Sequence, residues 1–451
     1  MAVVTQTRSL TEAILDSGIQ ATNYFNGRIL NAGDLQTDQE ANQARREQLG
    51  LAIGHGIVNG LWVELAEVGS GTTTPVVTVK KGLAFNANGQ AIALPLDVKV
   101  ALTRATAPLP VDAGLFTDCA PPTATTVPLQ AGVYILAASP ASGYSGSAPM
   151  FGFGDTSVAT GCGSRYAVEG VRFRIVELDV SQLSGISQAS RDAIAGLMPL
   201  TDAPSRNKLR NWLAHLCFGT EQVSAFLMNP FPPTQGGASA FVGYTAIDAL
   251  VSTGALTAGD VPVALIYWTL QGVQFIDRWS VRRRLTPPAS STYWPLPYNP
   301  RRRIEGEAMF LQYEEQMAAL VGSGISDATL VGLKASDCFR YLPSAAPIRT
   351  NGNGARGFVI AQFLAGQTFR PPCFVEGAIV PALFDSALGY APIDLASQEA
   401  IWTYLVRENI QADDNATSAK PKQYVIVATG QMPFAGEARF DLNHWDYANF
   451  A

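Results

Sequence analysis

Metal-assisted and acid–base chemistry both need several titratable groups brought close together. The chain has three histidines, His55, His215 and His444, widely separated and without HExxH spacing. Its densest polar cluster is Asp441, His444 and Asp446. A carboxylate three positions before an imidazole can share a metal or orient a base, but the same residues can cap a turn and hold an aromatic tail, and the structural role is the expectation. Glu305 and Glu307 stand two apart, so on a helix they point in different directions. The tandem acids Glu314-Glu315 and Asp413-Asp414 read as solvated surface, and no GxSxG nucleophile elbow is present. Cys119, Cys162, Cys217, Cys338 and Cys373 are scattered with no CxxC pair, which reads as mostly reduced thiols. These residues point to no catalytic centre, no metal and no cofactor.

The elements that would position such groups are legible in part. Asn31 can cap a helix starting near Ala32, with Asp34 three positions on, and the helix carries a narrow, alanine-rich face through Leu35, Ala41, Ala44, Leu49 and Ala52. It stops at Gly54-His55-Gly56. His55, between glycines that permit a tight turn, reads as a buried, hydrogen-bonded junction residue rather than a base. Residues 76–101 read as antiparallel strands with a hairpin turn at Asn86-Ala87-Asn88-Gly89, and another strand is expected over 132–137.

The Gly-rich residues 142–164 are expected to form an extended surface loop, free or ordered by a neighbouring subunit. Neither GxGxxG nor GxxxxGK[ST] is read there or elsewhere in the chain, so a nucleotide reading has no motif behind it. Residues 171–180 are strand-like with a parity change between Ile175 and Val176, which implies two covered faces or a β-bulge. Helices follow over 188–197 and 205–218; the second carries Leu209, Trp212, Leu213 and Leu216, with His215 in a core or flanking role. Residues 261–270, apolar on both faces, and 273–281 form the clearest hairpin. A proline-rich crossing over 287–300 then marks a domain boundary, before a helix over 305–320 with Met309, Tyr313, Met317 and Leu320 on one face, and a short helix near 383–388.

Hydrophobic residues make up 47% of the 451 and charged residues only 15%, a composition unusual for a free monomer. The length suits two or three domains of roughly 100–200 residues each. A net charge of -6 gives no broad attraction to nucleic acid or anionic membrane. The dense basic runs Arg282-Arg283-Arg284 and Arg301-Arg302-Arg303 read as solvated or subunit-contacting faces. The N-terminal residues lack the basic region and apolar stretch of a signal peptide, and the longest hydrophobic run is about ten residues against the roughly twenty of a membrane helix. Neither secretion by the general route nor membrane insertion is expected.

The segment Asn23-Tyr24-Phe25-Asn26-Gly27-Arg28-Ile29-Leu30-Asn31-Ala32-Gly33-Asp34-Leu35, followed by Gly54-His55-Gly56-Ile57-Val58-Asn59-Gly60-Leu61-Trp62, resembles a family encoded with tail, sheath and baseplate genes of phages and extracellular contractile injection systems. Its members carry a YFNGR(I/L)L…DL segment and a G-(I/V)-V-x-G-L turn. Further likeness lies at residues 337–343, 400–408, 424–433 and 438–441. The resemblance implies a particle component at a baseplate, collar or peripheral fibre attachment, and brings no catalytic residues.

The expected fold is α+β and multidomain, mainly antiparallel β. It divides into an N-terminal helix with a small β domain (1–140), a central β-rich domain (141–290) and a mixed C-terminal domain (301–451). The expected function is a structural subunit of a phage tail or tail-like contractile particle, assembled in the bacterial cytoplasm, without nucleic acid as a partner. Its contacts with other tail or baseplate proteins, and with copies of itself, would run through Tyr24, Phe25, Arg28, Trp62, Phe440, Trp445, Tyr447 and Phe450. One alternative is a carbohydrate- or receptor-binding module using Trp294 and Tyr298. The other is a cell-wall glycan hydrolase, which needs two carboxylates roughly 5–9.5 Å apart in a cleft.

Overall fold

The computed structural model describes residues 18–66, 75–105, 126–128, 131–151, 159–183, 186–222, 244–269, 271–287, 300–322, 325–351, 356–397, 399–406 and 424–432. The proline-rich crossing from residue 288, Asp413-Asp414, and the terminal residues Phe440, Asp441, His444, Trp445, Asp446, Tyr447 and Phe450 lie outside them. The fold is α+β, with an N-terminal helix, mainly antiparallel sheets and a mixed C-terminal region.

Helix α1 (Ala32–Ile53) begins as its cap predicts: Asn31 Oδ1 accepts from the Asp34 N–H and Asp34 Oδ2 accepts from the Asn31 N–H, both at 3.0 Å. Only Ala41 and Gly50 of its 22 residues are buried. Gly50 sits on a hairpin turn so closely that a Cβ there would lie 1.9 Å from the Gly89 carbonyl oxygen. The helix ends at Gly54, whose φ of 112° suits glycine.

Strands β1 (Gly56–Gly60), β2 (Val63–Leu65), β3 (Val76–Val79), β4 (Gly82–Phe85), β5 (Ala91–Leu94) and β6 (Val98–Ala101) make two antiparallel sheets, ordered β1-β4-β5 and β2-β3-β6. A small pairing of β7 (Thr103–Ala105) with β8 (Thr126–Pro128) follows. The central sheet is ordered β10-β9-β11-β12, from β9 (Gly132–Phe151), β10 (Ala159–Glu177), β11 (Val261–Thr269) and β12 (Gly272–Asp277), all antiparallel.

The apolar character of β11 on both faces has its cause in this arrangement. Val263 and Ile266 join Ile57, Leu61, Val79 and Ile92 in one core, whereas Leu265 and Tyr267 join Ile135, Leu209 and Leu213 in another. The same layering explains the parity change in β10. Phe173 and Ile175 face the first core and Val176 the second, with no register shift at that point. The expected surface loop over residues 142–164 is a correction at 142–151 and 159–164, where β9 and β10 continue as a two-stranded ribbon, pairing Ser142 with Glu169 and Ser147 with Ser164; residues 152–158 lie outside the described residues. Glycine and serine lower strand propensity, but cross-strand pairing with a partner already in register overrides it.

Helices α2 (Gln188–Leu197), α3 (Ala203–Phe218) and α4 (Ala246–Ser252) cover the second face of the central sheet. The C-terminal region begins with α5 (Pro300–Gly322), which buries Met309, Tyr313, Met317 and Leu320 as the spacing predicts. After α6 (Asp327–Gly332) and α7 (Ala335–Cys338), strands β13 (Tyr341–Leu342) and β14 (Ala345–Arg349) lead to α8 (Ile360–Phe363). Then come β15 (Thr368–Phe369), β16 (Cys373–Val375), α9 (Val380–Ala387), β17 (Ile393–Asp394), β18 (Ala400–Val406) and β19 (Tyr424–Thr429). The main sheet here is mixed: β14-β19-β18 is antiparallel, while β15 and β16 run parallel to β18.

Helix α3 holds the central and C-terminal regions together because both its sides are buried. Leu209, Trp212, Leu213 and Leu216 pack toward the central sheet, while Asn207, Arg210, Asn211 and His215, also buried, carry the polar side. Asn211 Oδ1 accepts from the N–H groups of Arg340 and Tyr341, both at 2.9 Å, and its Nδ2 donates to the Tyr341 carbonyl at 3.1 Å. The side-chain amide thus satisfies backbone groups at the start of β13 that would otherwise be buried without partners.

Arg210 Nε lies 2.5 Å from Asp277 Oδ2, and its Nη2 lies 2.8 Å from Glu315 on α5. Gln312 Nε2 and the Ser280 N–H also donate to Asp277, at 3.1 and 2.8 Å. Burial opposes the Asp277 charge, but Arg210 and the Ser280 hydrogen bonds outweigh it and hold the carboxyl below its ordinary range. Removing one member of such a pair strands the other charge in the interior. Asp277→Ala should therefore lower unfolding free energy by about 3–5 kcal/mol in denaturant titrations, with a smaller loss for Glu315→Ala, whose partner side chain retains Asp277.

Candidate functional site

The N-terminal motif folds into a rigid turn. The Arg28 N–H donates to the Phe25 carbonyl at 3.2 Å, Gly27 supplies a φ of 91°, and Arg28 Nη1 donates to the Asn23 carbonyl at 2.9 Å. Arg28 also ion-pairs with Asp34, and its guanidinium lies 5.9 Å from the Phe25 ring centre. The Asn31 N–H, aided by Arg28, holds the Asp34 carboxyl below its usual range. Arg28, Asn31 and Asp34 are thus engaged in fixing the turn to the cap of α1. Its apolar residues are left outside: Tyr24 is 52% exposed, Phe25 61% and Ile29 89%. Leu30 just before the helix and Leu35, Leu49, Leu51 and Ile53 on it are exposed as well.

Trp62 lies elsewhere and has another role. It is half-buried, edge-on to Trp279 with ring centres 5.3 Å apart, and Arg282 lies over its ring at 4.0 Å. Arg282 Nη1 donates to the Leu61 carbonyl at 2.9 Å and Nη2 to that of Gly60. Leu61 is fully buried and has a φ of 54°, a conformation that bulky residues adopt only when their surroundings enforce it. Arg282 thus clamps the Gly60-Leu61-Trp62 turn onto the central region. Sequence reading misses this residue; the only signal is its place in a dense basic run.

The basic runs are accordingly a correction. Arg282 and Arg302 are buried and Arg283 half-buried, because carbonyl oxygens, ring faces and carboxylates inside the fold take their charge; Arg284 and Arg303 are exposed. Glu315 also differs from the solvated surface expected of it, since Arg210 and Arg278 hold it at the helix junction. The imidazole of His55 is exposed rather than buried, although its backbone does form a junction, exchanging hydrogen bonds with Thr286 at 3.2 and 3.0 Å. Partial loss of solvent on the side that faces the protein lowers its pKa, with a further push from Arg301.

His55 borders a cavity of about 450 Å³ between the N-terminal sheets, α4 and the first turns of α5. On its polar wall Arg301 bridges Asp248 at 2.7 Å and Glu305 at 2.9 Å. Arg302 Nη1 and the Tyr244 hydroxyl both donate to the other Glu305 oxygen, at 2.9 and 2.7 Å. Burial and the neighbouring Glu305 push the Tyr244 hydroxyl up. Burial opposes the Asp248 charge, but Arg301 holds the carboxyl below its ordinary range. A glycosidase acid must instead retain its proton. Neither carboxylate fits that role, since Asp248 is biased toward ionisation and Glu305 has donors on both oxygens.

Among the described residues no group of three or more His, Cys, Asp and Glu side chains has metal-binding proximity, and no helix is long and apolar enough to cross a membrane. Sequence reading also passes over a GxGxxG spacing at residues 352–357. The strand before it, β14, pairs antiparallel with β19, and the helix after it, α8, has four residues, so the parallel βαβ setting of a dinucleotide site does not surround it. Neither protein-family models nor the curated proteins compared with the chain give a match.

His215 occupies the core position its spacing predicts. Its Nδ1 is 2.8 Å from Thr220 Oγ1, and its ring lies 4.6 Å from that of Tyr341. Burial, reinforced by Arg302 and Arg340, lowers its pKa to about 3. Because the folded value is depressed below the unfolded one, the unfolded chain binds a proton that the folded chain refuses between about pH 6.5 and 3. Stability should be full at neutral pH and fall on acidification through that window. His215→Gln should remove up to about 1.4 kcal/mol per pH unit of this slope between roughly pH 6 and 4, measured by denaturant unfolding across pH.

Proposed function

We propose that this chain is a structural subunit of a phage tail or tail-like contractile particle, at a baseplate, collar or peripheral fibre attachment. In this reading it works through multivalent contacts with other tail or baseplate proteins rather than through catalysis. The observation that supports it is the ordered but uncovered apolar surface of residues 24–53. Helix α1 is fixed at its start by a capping box and an ion pair, yet it turns Leu35, Leu49, Leu51 and Ile53 to solvent. Large apolar side chains left exposed close together in sequence on an ordered turn, as at Tyr24, Phe25, Ile29 and Leu30, mark a contact site. It coincides with the motif that carries the resemblance to particle components.

The exposed side chains add little to the fold, whereas a neighbouring protein docked on them would lose its anchors. Phe25→Asp with Ile29→Asp should leave the unfolding free energy within about 0.5 kcal/mol of the parent. Incorporation into particles, measured by quantitative mass spectrometry of purified assemblies, should fall at least about tenfold if two anchors are removed. Unchanged incorporation of the folded double variant would contradict the assignment of this surface.

A further inference from the structure

We propose that the outer edge of β10 is a self-association surface, on which two copies of this chain pair antiparallel about a twofold axis at Ala167 and join their ribbons into a four-stranded sheet. The inference deepens the assembly reading above but uses a surface separate from the N-terminal one.

Among the described residues the ribbon has no third strand beyond residue 140. Within them β11 pairs with β9 over residues 132–138, and β10 pairs with β9 and with no other described strand. A lone two-stranded hairpin is marginal in water, and its edges present unpaired N–H and C=O groups. The two edges are not equivalent. β9 carries Pro140 and Pro149, which supply no N–H to a ladder, while β10 has no proline over its length. β10 is therefore the edge able to accept another strand.

Its side chains are complementary to themselves about Ala167. In that register Arg165 stands opposite Glu169 of the second copy, and Tyr166 opposite Val168 of the second copy, each pair occurring twice. Neither Arg165 nor Glu169 forms an ion pair among the described residues; the Arg165 guanidinium lies over its neighbouring Tyr166 ring at 5.1 Å. Tyr166 and Val168 are exposed in the single chain. Opposite charges and aromatic–β-branched pairs directly across a ladder are favourable, and like charges there are not. A centre one residue to either side would set Arg165 against Ala167 or Val171, and Glu169 against Gly163 or Ala167, so the charge match selects one register.

Sedimentation velocity of the full chain over a dilution series tests this. The parent should form dimers that dissociate on dilution. Arg165→Glu and Glu169→Arg should each weaken the dimer by at least about tenfold, and the double exchange should restore it, because each places or relieves two like-charge pairs. In a Cys162→Ser background, Ala167→Cys should cross-link copies on mild oxidation and Ser142→Cys should not. Circular dichroism of each variant establishes that it is folded. A parent that stays monomeric at all concentrations, or a double exchange no better than the single ones, would overturn the proposal. So would association that survives every β10 variant but is lost in Phe25→Asp/Ile29→Asp, which would assign self-association to the N-terminal face instead.

Discussion

Ionic contacts inside the protein hold its parts in register. Asp277 at the end of β12 is fully buried and takes Arg210 from α3, while Arg210 reaches on to Glu315 of α5. Arg282 similarly ties the Gly60-Leu61 backbone to the central region, and Glu305 gathers Arg301, Arg302 and Tyr244 at the start of α5. Apolar contact alone would press these layers together without fixing their relative position, because it is non-directional. A guanidinium meeting a carboxylate or carbonyl has a required geometry and leaves a costly unpaired charge if the layers slip. The two arginine runs contribute to the interior, which leaves still fewer of the chain's sparse charges for its surface.

That interior scaffold leaves two elements projecting from it. Helix α1 meets the β4–β5 turn through Gly50 and through Glu47, which accepts from Gln90, and the ribbon of β9 and β10 extends past the sheet that roots it. Each is ordered at its base, α1 by its cap and ion pair, the ribbon by β11. The turn before α1 exposes Tyr24 and α1 itself several leucines, while the ribbon exposes Tyr144, Tyr166 and Val168. A subunit assembled among neighbours can carry such surfaces because the contacts that cover them form on assembly.

Local signals were the legible ones. Asn31 and Asp34 announced the start of α1, Asn86 to Gly89 the hairpin turn, and the Leu209, Trp212 and Leu213 spacing the apolar side of α3. What stayed hidden depended on distant partners. Arg210 falls on the side of α3 that its pattern marks as polar, and nothing local says that Asp277 and α5 bury it. The Gly-rich residues 142–151 and 159–164 lack strand propensity, and only a register continued from Tyr134 and Glu177 makes them a ribbon. Tyr24 and Phe25 on the exposed side of the site, and Arg28 that fixes the turn behind them, were visible as a motif. The assignment of Trp62 to the same surface was not a local question, since Arg282 and Trp279 reach it from more than two hundred residues away in sequence.

The central claim is that the N-terminal surface is covered by another protein in an assembled particle. Cryo-electron microscopy of contractile particles purified from the organism that encodes the chain tests it most directly, with the chain traced in the map. The account predicts density for the chain at a baseplate, collar or fibre attachment, with Tyr24, Phe25 and Ile29 in contact with a neighbouring subunit. Intact particles lacking the chain, or a traced chain whose α1 surface faces open solvent, would contradict it.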